Sequence, residues 1–134
     1  MIYAPHFKLR AFDTLSDEAK IAALVRLLEA LTGVNEAWLR ENPQAPYLYA
    51  SGVRYLEEPR GRDDWQDIPE TLELRNGDCE DLGCWRVAEL RVRANEHAIP
   101  FVRKSWSGPH TIFHVAVRRA NGALEDPSKI LGMQ

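Results

Sequence analysis

The sequence predicts an α+β domain in which helices come first and an antiparallel sheet follows. Three features predict it: a leucine stripe at helical spacing in the first third, a capped helix start at Asp78-Cys79, and three segments rich in β-branched and aromatic residues that close the chain. The 134 residues and 15.3 kDa leave room for a single domain. It divides into a helical N-terminal scaffold over 1–42 and a core over 43–134.

Ser16-Asp17-Glu18 supplies an N-cap and an acidic first turn, after which Leu24, Leu27, Leu28 and Leu31 fall at i, i+3, i+4 and i+7. Gly33 stands where a residue of positive φ would close that helix. A shorter helix is predicted from Asn35 to Arg40, stopped by Pro43. Between Pro43 and Pro69, turn formers alternate with Tyr47, Tyr49, Tyr55 and Trp65. That mixture describes a packed loop region, its rings serving as core or, in part, as walls of a groove.

Asn76-Gly77 reads as a tight turn running into a helix, with Asp78 as N-cap and Asp81 completing a shortened capping box. Leu82, Trp85, Ala88 and Val92 form its buried stripe, and Glu89 and Arg93 an i,i+4 pair on the wet side. The helix ends near Asn95-Glu96-His97. Strands follow at Ile99–Trp106, Thr111–Arg119 and Ala123–Asp126, the last two joined by a hairpin at Asn121-Gly122. There is no internal repeat and no low-complexity tract.

Seventeen Lys+Arg against twenty Asp+Glu give a net charge of −3, so nucleic acid is not an expected partner. No apolar run approaches membrane-spanning length and Met1–Arg10 lacks a signal-peptide core, so neither a membrane partner nor secretion is expected. Two cysteines cannot make a disulfide scaffold; reduced thiols in a cytoplasmic protein are the expectation.

Cys79 is the first candidate for chemistry. At a helix start, the macrodipole and unpaired N–H groups favour thiolate, and the residue's own N–H can face an oxyanion. Asp78, Glu80 and Asp81 oppose this by raising the thiol pKa, which calls for an imidazole nearby. His114, in the second strand, supplies it, and Asp126 on the next strand supplies an orienting carboxylate. The pairing makes a sharp demand. A two-residue turn would set Asp126 opposite Val117, facing away from His114. A three-residue loop, Ala120-Asn121-Gly122 with Gly122 left-handed, sets it opposite Ala116 and on the histidine's face.

Zinc is the competing reading, with Cys79, Cys84, His110 and His114 as ligands. Spacing counts against it: i and i+5 diverge by about 140° on a helix, and residues four apart in a strand stand roughly 13 Å apart. No metal and no cofactor is therefore expected. Cys84 is expected in the core or beside Cys79, and Gly83 where another backbone approaches the helix. The charged run Arg60–Asp64 is expected to be a solvated loop; His6 and His97 have no nameable partner.

Asn76-Gly77-Asp78-Cys79-Glu80-Asp81-Leu82-Gly83 resembles the Gly-Asp-Cys-Glu-Asp nucleophile motif of bacterial transglutaminase-like cysteine peptidases. His114-Val115-Ala116-Val117 and Glu125-Asp126-Pro127-Ser128 resemble that superfamily's later His and Asp motifs, the likeness running from about Trp65 to Lys129. Gly83 departs from the pattern, standing where Ala is expected, a change that should be tolerated. The region 47–55, the Trp65 region, Trp85–Arg91 and Leu131-Gly132-Met133 resemble small proteins of the virion genes of tailed phages and prophages.

The resemblance implies a papain-like core, with a nucleophile-bearing helix packed on an antiparallel sheet. It implies acyl transfer by a peptidase, an amidase or a transglutaminase-like acyltransferase. Cys79 would be nucleophile, His114 base and then acid, and Asp126 orienter; the motif does not fix a second oxyanion donor, for which Trp65 through its indole N–H and Gln66 through its amide are the nearest upstream candidates. Partners would be a protein or peptide substrate and other phage structural proteins, in host cytoplasm or virion. The alternative is a non-catalytic virion assembly protein that retains the fold.

Overall fold

A computed structural model describes residues 2–5, 7–58, 64–108 and 110–134. The fold is mixed α+β, with four α-helices, a two-stranded parallel pair and a three-stranded antiparallel sheet among the described residues. The run 60–64, apart from Asp64, lies outside them, as do His6 and the side chain of His110.

Helix α1 spans Asp17–Glu41 without interruption. Ser16 caps it as expected, its hydroxyl accepting the Ala19 N–H at 3.2 Å. The break predicted at Gly33 does not occur. Leu28, Thr32, Asn35 and Leu39 form one buried stripe that crosses the glycine, and the Asn35 side chain accepts the Ile68 N–H at 3.0 Å. Burial of that stripe outweighs the roughly 1 kcal/mol that a mid-helix glycine costs.

Over residues 43–58 the core is aliphatic, made by Leu48 and Val53. Tyr47 and Tyr49 stand 54% and 37% exposed and act as platforms for cations. The Arg93 guanidinium lies 4.6 Å from the Tyr47 ring centre, and that of Arg86 4.9 Å from Tyr49. A single-turn helix covers Leu48–Ala50 and strand β1 is Arg54–Tyr55.

Helix α2, Ile68–Leu74, was not foreseen, although Asp67 as N-cap and a proline in the first turn are its ordinary start signals. The left-handed residue that closes it is Arg75, at φ 63°. Asn76–Gly77 is therefore no turn; it is strand β2, paired in parallel with β1, with Tyr55 opposite Gly77. Gly77 is needed for space, since a Cβ there would lie 3.0 Å from that of Asp81.

Helix α3, Cys79–Arg93, is buried on almost every side. Leu82, Trp85 and Ala88 join Leu39, Leu48, Val53, Ile68 and Leu131 in one core cluster, while Val92 is only partly buried. Gly83 and Cys84 face a second cluster containing Leu28, Val102 and Val115. The expected exposed Glu89–Arg93 pair is replaced. Glu89 is 1% exposed and pairs with Arg86, and Arg93 donates to the carbonyls of Pro43 and Ala45.

The sheet runs in the order β3 (Ile99–Ser107), β4 (His110–Arg118), β5 (Leu124–Glu125), antiparallel throughout. The β4–β5 hairpin takes the three-residue form. Arg119 N–H donates to Ala123 O at 2.8 Å, Gly122 sits at φ 88°, and Val117 opposes Glu125. Helix α4, Pro127–Ile130, follows at once. No helix among the described residues is long and apolar enough to cross a membrane.

Candidate active site

Cys79 is the first residue of α3, half-buried and free. Asp78 caps the helix reciprocally: its carboxylate accepts the Asp81 N–H at 3.4 Å, and Asp81 accepts the Asp78 N–H at 3.0 Å. Asp81 also accepts the Gln66 N–H at 2.7 Å, which ties the upstream loop to the helix start. Burial and the neighbouring Asp78 charge hold the Asp81 carboxyl above the usual carboxylate range, against the pull of those two N–H donors.

The sulfur lies at an open strand edge, and the hairpin explains why. In an antiparallel strand alternate residues direct N–H and C=O to the same side. Arg119 N–H reaches β5, so Val117 and Val115 point the same way. Strand β5 ends at Glu125 and α4 begins at Pro127, so Val115 finds no strand partner there; its N–H points at the Cys79 sulfur.

His114 and Asp126 meet directly. The register sets Asp126 level with Ala116, on the histidine's face, and His114 Nε2 donates to Asp126 Oδ2 at 2.8 Å. Both side chains are mostly covered, at 15% and 16% exposed. Arg103, directly across β3 from His114, reaches the same oxygen at 3.6 Å. Asp126 caps α4 with its other oxygen. Engagement of Nε2 leaves Nδ1 as the nitrogen for a second partner.

The sulfur and the imidazole thus flank the single peptide His114–Val115. No hydrogen bond joins them: α3 packs on the Val115 and Val117 face, whereas His114 and Asp126 occupy the other. Burial first, then Glu80, Asp78 and Asp81, push the Cys79 thiol up, with the Val115 N–H opposing. Burial, with the three acids adding to it, opposes the thiolate that the helix start favours.

Of the oxyanion candidates, Trp65 packs against the same cluster as Cys79. Gln66 does not offer its amide, because Nε2 already donates to Thr71 Oγ1 at 3.3 Å and to Asn76 O at 3.0 Å. Tyr55, which the sequence offered only as a core or groove-wall ring, lies beside the helix start. Burial first pushes its hydroxyl up to about 12, and the acids Glu57, Asp78 and Glu80 add to the shift, so it keeps its proton there. A two-residue parallel pairing leaves no periodicity that could have revealed it.

Cys84 is in the core, its thiol donating to Leu28 O at 3.4 Å. No group of three or more His, Cys, Asp or Glu that could hold a metal ion occurs among the described residues, which exclude the side chain of His110. Gly83 admits a side chain rather than a backbone: a Cβ there would lie 2.9 Å from Val115 Cγ1. Valine is stiff at χ1, so a methyl at 83 forces a shift in this packing. Gly83→Ala should cost about 1–3 kcal/mol in urea denaturation, and Val115→Ala in the same chain should recover part of it.

No family model, curated protein or solved structure matches the chain.

Proposed function

We propose that this protein is a thiol-dependent acyl-transfer enzyme with a transglutaminase-like, papain-like core. Cys79 is the nucleophile, His114 the base and then acid, and Asp126 the orienter. The observation that carries this is the Nε2–Asp126 bond at 2.8 Å beside a sulfur held on the Val115 N–H. Such an arrangement fixes the imidazole tautomer and leaves Nδ1 to take a proton from the thiol as it attacks. A carbonyl carbon then bonds to Sγ, its oxygen gains charge near the Cys79 N–H, and the proton passes to the leaving group. Water or an amine completes the cycle, which makes a protein or peptide amide the fitting substrate.

A second reading is a non-catalytic phage assembly protein whose partners are other structural proteins of the particle. The raised Cys79 thiol, without a hydrogen bond to His114, favours it. p-Nitrophenyl acetate separates the two. The enzyme reading expects a burst of nitrophenolate and an acetyl group on Cys79, both absent in Cys79→Ala. Labelling no faster than that of a free thiol in solution would leave the assembly reading.

A further inference from the structure

We propose that Arg86 and Glu125 are positioning residues that hold Asp126 against His114, an inference that rests on reading those two as the catalytic pair. Successive residues of a strand face opposite sides. Glu125, opposite Val117, faces α3, while Asp126 faces His114. On the α3 side Arg86 Nε donates to Glu125 Oε2 at 2.6 Å and Nη1 to Glu89 Oε2 at 2.7 Å. The Tyr49 hydroxyl donates to the same Glu125 oxygen. Arg119 holds Glu125 Oε1 at 2.8 Å and grips Glu96 by two bonds at 2.6 and 2.7 Å.

Strand β5 has only two residues and two paired rungs, too little ladder to fix its own position. The carboxylate of Glu125 adds three side-chain hydrogen bonds to those rungs. Because Arg86 sits two turns along the helix that begins at Cys79, its bond ties the acid's strand to the nucleophile's helix. Burial opposes charge on Arg86 and Glu125, yet their mutual bonds keep both ionised: Arg86 is raised and Glu125 lowered. The network is thus a charged clamp on the rear of the site, touching none of the reacting atoms.

The test is solvent exchange of the His114 Nε2 proton, followed by NMR, with p-nitrophenyl acetate acylation in parallel. Glu125→Gln should speed that exchange at least tenfold and slow acylation about tenfold, with a cooperative melt retained. Arg86→Met should do the same. Tyr49→Phe, on a partly exposed ring that tolerates the change, should speed exchange about threefold. A core variant away from the network, Ile68→Val, matched in melting temperature, should leave exchange unchanged. Unchanged exchange in Glu125→Gln or Tyr49→Phe overturns the clamp, as does an equal effect in Ile68→Val. Faster exchange in a chain whose wild type never acylates keeps the clamp and refutes the catalytic reading.

Discussion

Glu89→Ala is expected to remove about 3–5 kcal/mol of folding stability, the usual cost of breaking a buried ion pair by deleting one partner. The carboxylate is 1% exposed and does two jobs. It accepts the Leu48 N–H at 3.0 Å, fixing the single-turn helix to α3, and it receives Arg86 at 2.7 Å. Alanine orphans the amide, leaves Arg86 with one carboxylate instead of two, and opens a cavity. Glu89→Gln separates these effects. Its amide oxygen still serves Leu48, so the loss should shrink to about 1–3 kcal/mol, the cost of a weakened charged hydrogen bond. Equilibrium urea denaturation of both variants checks the order. Equal losses would mean that the charge, and not the Leu48 bond, dominates.

Glu89 also marks where the sequence was silent. Spacing pointed to Arg93 at i+4 on a wet face, and a helical wheel cannot say which face is wet when a helix is enclosed on all sides. Periodicity did identify α3, its capping box and the two long strands, because those signals are local. It failed at Gly33, where Thr32 and Asn35 are buried polar residues that carry no hydrophobic signal, yet decide that α1 continues. Strands β1 and β2 were illegible because two residues have no period. The contact between His114 and Asp126 was legible as a condition: Asn121-Gly122 allowed two hairpin registers, and the three-residue loop is the one that puts both on one face. What could not be read was depth, since desolvation of Cys79 depends on Val115 and the packing of α1.

His114→Ala is expected to slow acylation of Cys79 by p-nitrophenyl acetate by about 10²–10⁴-fold at neutral pH, the span typical of general-base removal. The size follows from the thiol's surroundings. Burial and three acids hold it protonated, so little thiolate is present to react without a base. Asp126→Ala should give a smaller loss, because the imidazole remains but its tautomer and orientation are no longer fixed by Oδ2. The double variant should be no slower than His114→Ala alone, as for residues acting through one another. The pH dependence carries the sign. A thiol raised above its usual value gains thiolate as pH rises, so residual labelling of His114→Ala by iodoacetamide should climb steadily through the alkaline range. The wild type should react faster at every pH below that range, because its imidazole takes the proton as the sulfur attacks. Coincident profiles for the two chains would mean that the imidazole never reaches the sulfur.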